Sequence, residues 1–352
     1  MSSLIPVPDP LGLPVPPAIL LLLKMFGLFL HMLFMNLWLI GLPLAILLAK
    51  KHEKTASRLF HAMPFVMAFG INAGIVPLLF LQTLYPGFFY SATILQAWAW
   101  LLIIPCVLLA YYAVYLAAFG IYRKIAAIVA SLLLAWVGMT FSASLAFMER
   151  PSAWNEAFHS MADSGIVYGL YLYCSADLFL RLGMIIGMAL GTVAAFLAFD
   201  AFAWRQDEMY QQETRRFIPL LYLLGLAVYG GCGLSYSANV QGTGLLPQPI
   251  FWATALSMPI ATMAVVALSV RPLRCLAWLV ALLHLGVIAL NVISRQLVQD
   301  ERLASYVKLN DLAVRGEWGS LLQFLVIFIA ALVTIGWIVK AILSIRGEQQ
   351  SV

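Results

Sequence analysis

The chain has 352 residues, of which 63% are hydrophobic and only 10% charged. Soluble domains carry about 25% charged residues, so this composition excludes a soluble globular protein and points to an all-α, polytopic helix bundle in a membrane. The net charge of +5 is small for the length, and its basic residues are scattered through loops, so no nucleic-acid-binding patch is present.

The first seventeen residues, MSSLIPVPDPLGLPVPP, lack a basic n-region and read as an ordered or interfacial arm rather than a cleaved signal. Hydropathy then predicts nine spans, over 17–49, 62–85, 93–120, 125–148, 175–203, 217–237, 249–270, 275–294 and 318–343. About 20 apolar residues suffice to cross a bilayer, and tilt absorbs the extra length of the first and fifth. Pro77 and Pro105 interrupt the second and third spans, where kinks can shape a cavity. No region is long enough for a second domain, so residues 1–352 form one integral membrane domain.

Charge sets the orientation. One set of loops and the tail holds Lys50, Lys51, Lys54, Arg58, Arg123, Lys124, Arg205, Arg215, Arg216, Arg271, Arg274, Lys340 and Arg346. The opposite set holds only Arg150, Arg295, Arg302, Lys308 and Arg315. The positive-inside rule puts the first set in the cytoplasm, the N-terminus outside and the C-terminus inside, as in a multi-pass protein of the bacterial cytoplasmic membrane. Two outer segments have content of their own. MERPSAWNEAFHSMADSG carries Trp154 and His159 and reads as an interfacial helix. SRQLVQDERLASYVKLNDLAVRGEW is the longest polar segment; it reads as a solvated connector or as a docking place for an external partner.

Ionisable groups inside a span are costly, and they point at a partner. His31 lies in the middle of PPAILLLLKMFGLFLHMLFMNLWLIGLPLAILLA, and His284 in the middle of CLAWLVALLHLGVIALNV. They are the two imidazoles near mid-depth. The partner of each is a metal, a carboxylate or a carbonyl on a neighbouring helix. A b-type haem takes one or two axial ligands at matched depth, from His or Met. His31 and His284 supply both only if the first and eighth spans face each other. Met258 in the seventh span is a further candidate ligand, although most methionines serve packing.

Other polar residues in the spans have structural readings. Lys24 snorkels to the headgroups. Asp177 and Arg181 are four apart and meet on one helix face. Asn72, Gln82 and Gln96 are read as bonds between helices. Cys106, Cys174, Cys232 and Cys275 are widely spaced; Cys174 and Cys232 either pair on the outer side or remain buried thiols. No Cys-x-x-Cys-His is present, so covalent haem attachment is not expected.

Four stretches, taken in order, resemble subunit I of the cytochrome bd quinol oxidases. They are LHMLFMNLWLIGLPLAILLA, FGINAGIVPLLFLQTLYPGFFY, SASLAFMERPSAW, and Ser294-Arg295-Gln296 at the place of that family's Gly-Arg-Gln-Pro-Trp. The resemblance implies nine spans in the same orientation and gives His31 the place of a haem-ligating histidine. It also marks departures. Arg181 stands where the family has its fifth-helix haem ligand. The seventh-helix Met ligand falls near Ser257, with Met258 one residue away. Gln96 and Val292 replace two acidic residues, and the quinol-binding loop is reduced to SANVQGTGLLPQP. Arginine stays protonated and cannot ligate iron, and without the two acids a proton relay is missing. A three-haem oxygen reductase is therefore not expected.

The reading that results is a membrane subunit of a respiratory or quinone-linked electron-transfer complex, holding at most one haem b through His31 or interacting with quinone. Its expected partners are the lipid bilayer and other subunits, such as c-type cytochromes or iron–sulfur proteins on the outer face. The alternatives are a haem-free structural or anchor subunit and, with least support, a transporter.

Overall fold

The computed structural model describes residues 12–164, 175–204 and 207–349. Their regular structure is helical. The helices are α1 (Pro17–Leu48), α2 (Glu53–Leu84), α3 (Pro86–Ile94), α4 (Trp98–Leu101), α5 (Ile103–Ala118) and α6 (Arg123–Met148), followed by α7 (Trp154–Ser164), α8 (Ala176–Phe199), α9 (Glu208–Ser237), α10 (Pro249–Val270), α11 (Arg274–Leu303) and α12 (Trp318–Gln349). Among the described residues eight helical segments are long and apolar enough to cross a membrane, α4 and α5 counting together as one. The ninth expected span falls in α12, whose qualifying apolar stretch is the shorter Trp318–Thr334.

Successive helices pair as antiparallel hairpins: α1 with α2, α5 with α6, α8 with α9, and α10 with α11. α1 also touches α6, α8 and α11, and α8 is the most enclosed of the spans. Small residues allow this. Gly187 of α8 lies so close to α9 that a Cβ there would come within 2.4 Å of the Tyr229 nitrogen and 2.8 Å of the Gly225 carbonyl oxygen. Large apolar side chains remain exposed on the outside, among them Leu47, Ile104, Leu132, Met263 and Trp337, which suits a lipid-facing surface.

Three sequence expectations change. The helices outrun the apolar windows: α2 begins at Glu53, α9 at Glu208, and α11 continues to Leu303. Hydropathy locates only the hydrocarbon-matched part of a helix, whereas backbone hydrogen bonding continues into polar sequence. Neither proline interrupts its helix. Pro77 lies inside α2, and Pro105 sits in the first turn of α5, where no intrahelical N–H is lost. The third span is broken instead before Trp98, where Ala97 adopts φ +49°, a region few L-residues occupy. The MERPSAW segment does lead into a helix, α7.

The stretch ahead of α1 is tied to a distant part of the chain. Leu13 donates to the Ala313 carbonyl at 2.7 Å, and Arg315 and Glu317 donate back to Leu13 and Pro14 at 2.9 and 2.8 Å. Leu13 and Pro14 are thereby fastened to the connection leading into α12. At the opposite end, which carries Lys50 to Arg58, Arg58 grips Asp200 through two bonds of 2.7 and 2.8 Å. Asp200 opens a π-helical turn, Asp200–Trp204, at the end of α8, and Lys54 pairs with Asp207 at 2.8 Å.

Candidate functional site

His284 projects from α11 into a seam formed with α8, α9 and α1. Its Nε2 lies 2.8 Å from Thr192 Oγ1, and its Nδ1 lies 2.8 Å from the Tyr222 hydroxyl. Thr192 donates to the Met188 carbonyl at 2.9 Å and accepts from Asn36 Nδ2 at 3.0 Å. With the threonine proton committed to Met188, Nε2–H donates to Thr192 and Nδ1 accepts from Tyr222; the tautomer follows from this network. The ring, Thr192, Tyr222 and Asn36 are all buried.

Met258 joins this seam. Its Cε and His284 Cε1 lie 2.8 and 2.9 Å from the position that a Cβ on Gly191 would take, so the two side chains converge on one glycine. Met258 is fully buried and packs in the main core.

His31 is held elsewhere. Its Nδ1 lies 2.8 Å from the Gly70 carbonyl of α2, and a carbonyl only accepts, so Nδ1 carries the proton. The ring rests on Gly74, where a Cβ would come within 2.6 Å of Nδ1, and it meets Trp38 edge-on at 6.1 Å. Glycine at 74 is thus what admits the imidazole between α1 and α2. In the neutral ring Nε2 keeps its lone pair, and it has no hydrogen-bond partner among the described residues. His31 and Asn36 are five residues apart, so they point about 140° apart around α1. Asn36 faces the His284 seam and His31 faces α2.

These geometries test a haem against the residues present. Iron needs an imidazole nitrogen with a free lone pair, its other nitrogen commonly donating to a backbone carbonyl. His31 fits that requirement. His284 does not, because both its nitrogens are already hydrogen-bonded. The structure brings His284 and Met258 together and leaves His31 in a separate seam. Among the described residues no three His, Cys, Asp or Glu side chains gather as a metal-ion site.

Above these seams, at the end carrying Arg150 and Arg302, lies a buried charged layer. Arg181 pairs with Glu149 through both terminal nitrogens and with Asp177 through Nε at 3.0 Å. Arg302 bridges the same two carboxylates at 3.0 Å each, and Arg150 reaches Asp177 at 3.2 Å. Tyr236 accepts from Arg181 at 3.0 Å, and the guanidinium groups of buried Arg181 and half-buried Arg302 both lie 5.6 Å from its ring centre. Burial would push the Glu149 carboxyl up; the Arg181 and Arg302 guanidinium groups outweigh it and hold the group below its ordinary value of 4.5. The i,i+4 pair of Asp177 and Arg181 is present as the spacing predicts, and it anchors a larger cluster. Glu149 and Arg302 gave no sequence signal, because a charge in a segment read as a loop carries no information about burial.

Lys24 corrects a reading. It does not snorkel outward. It is buried and donates to Gln296 Oε1 at 2.7 Å and Gln299 Oε1 at 3.0 Å on the extended turns of α11. Gln296 and the Tyr85 hydroxyl both donate to Asp300 at 2.7 Å. The segment read as a connector therefore begins as buried helix. Gln96 does bond across helices, accepting from Ser144 at 2.7 Å, whereas Asn72 is exposed and bonds within its own helix to Ala68. Cys174 lies outside the described residues, and with it the question of a pair with Cys232.

No protein-family model matches the chain, and no curated protein matches it.

Proposed function

We propose that this chain is the membrane-integral subunit of a quinone-linked electron-transfer complex, akin to subunit I of the cytochrome bd quinol oxidases but not itself an oxygen reductase. The observation that carries the reading is His31: its Nδ1 proton is tied to Gly70 and its Nε2 is left available in the middle of a span. His31 would hold a single haem b, which would supply one-electron transfer within the membrane. Arg181 stands in its ion cluster, so the second ligand position of the family has become structural. In this reading the ninth span is α12, the N-terminus is outside and the C-terminus in the cytoplasm of a bacterial inner membrane. Partner subunits, c-type cytochromes or iron–sulfur proteins, meet the outer face.

A second reading, a haem-free anchor subunit, is favoured by the closed hydrogen-bond set around His284, which leaves that ring nothing to offer a metal. A pyridine haemochrome assay on the purified chain separates the two. Haem b in the wild type and its loss in His31→Ala support the first. Absence of haem b from protein purified out of a haem-replete host leaves the anchor. A C-terminal reporter fusion active only in the cytoplasm supports the orientation.

A further inference from the structure

A groove of about 260 Å³ opens between the end of α1 and the start of α6. Pro43, Ile46 and Leu47 line one wall, and Ile128, Ser131 and Leu132 the other. The lining is hydrocarbon in character: Ser131, its one hydroxyl, donates back to the Ala127 carbonyl at 2.7 Å. Leu47 and Leu132 are among the most exposed large apolar residues, so the groove faces the lipid side of the bundle.

Its rim is basic. Lys124, Ile128 and Leu132 follow one another at four-residue spacing, which stacks them on one face of α6 with the lysine at the end of the groove. On the other wall Lys50 and Lys51 come three and four residues after Leu47, just beyond the last turn of α1. All three lysines are exposed, and none forms an ion pair among the described residues. The nearby cations are otherwise engaged: Lys54 with Asp207, and Arg123 with the Ala117 carbonyl and the face of Phe60.

We propose that this groove is a binding site for an anionic phospholipid. One acyl chain lies against the six lining residues, and the headgroup phosphate is met by Lys50, Lys51 and Lys124. A free phosphate would not use the apolar groove; a lipid with a negative headgroup matches both the apolar walls and the three lysines.

The test is retention of defined lipids by the full-length protein, purified in a neutral detergent and analysed by native mass spectrometry. Phosphatidylglycerol should be retained and phosphatidylcholine lost. Each lysine contributes about a fivefold gain in affinity, so K50Q/K51Q/K124Q should weaken phosphatidylglycerol about a hundredfold. The triple arginine variant K50R/K51R/K124R should keep it, which separates loss of charge from loss of fold. S131F, which fills the groove, should displace the lipid with the lysines intact. Equal retention of the two lipids, wild-type retention by the triple glutamine variant, or displacement of phosphatidylglycerol by millimolar inorganic phosphate would each overturn the proposal.

Discussion

Tyr222 and His284 are joined by a 2.8 Å hydrogen bond from the phenol of α9 to the imidazole Nδ1 of α11. Thr192 closes the other nitrogen at the same distance, so the ring is satisfied from two helices at once. Replacing Tyr222 by Phe leaves a buried nitrogen without a partner, which costs about 1–3 kcal/mol. Thermal unfolding in detergent should show a clear drop for Tyr222→Phe. The Tyr222→Phe/His284→Phe pair should lose less than the sum of its two single losses, because the second change removes the orphaned atom. Additive losses would mean that the bond carries no coupling.

The charged layer should behave as a unit. Glu149→Gln removes a carboxylate shared by Arg181 and Arg302 and leaves buried Arg181 and half-buried Arg302 on Asp177. Breaking a buried pair in this way costs about 3–5 kcal/mol. The comparison is Lys54→Gln, whose partner Asp207 is solvent-exposed and whose loss should be within about 1 kcal/mol. Similar melting temperatures for the two variants would contradict the difference in burial.

Glu149 also makes a pH prediction. Its carboxyl titrates lower in the folded protein than in the unfolded chain. A depressed acid contributes stability that is fully present above its unfolded value of 4.5 and is lost as pH falls through the folded value. Melting temperature should therefore fall as pH drops below 4.5, and part of that slope should vanish in Glu149→Gln. An unchanged slope in the variant would assign the acid sensitivity to other groups.

Close approach of α8 and α9 can be probed at Gly187. An added methyl group would meet the Tyr229 and Gly225 backbones, which cannot rotate away, so Gly187→Ala should cost about 1–3 kcal/mol. Gly286→Ala, with open space around its Cβ position, should be neutral or slightly stabilising through helix propensity. Equal stabilities of the two variants in a denaturation series would count against the packing of these helices.

Much of the bundle was legible along the chain. Apolar runs located the spans, and the four-residue spacing of Asp177 and Arg181 gave a contact that exists. Lys24 and α11 depart from their sequence pattern for one shared reason. A polar run reads as a loop, although helical hydrogen bonding carries α11 on to Leu303 and turns Gln296 and Gln299 toward the lysine. Glu149, at the end of α6, could not be assigned to a buried cluster because its partners Arg181 and Arg302 lie 32 and 153 residues away.

The sequence by itself determined that this is a helical membrane protein with imidazoles at mid-depth on the first and eighth spans, because hydrocarbon thickness and the cost of burying polar groups act on each segment locally. Only the tertiary structure decided what those imidazoles do. Which lone pair is taken and which is free depends on how each helix is rotated toward its neighbours. Gly70, 39 residues from His31, and Tyr222, 62 residues from His284, set that difference. One ring is closed by two hydroxyls, and the other keeps a nitrogen to offer.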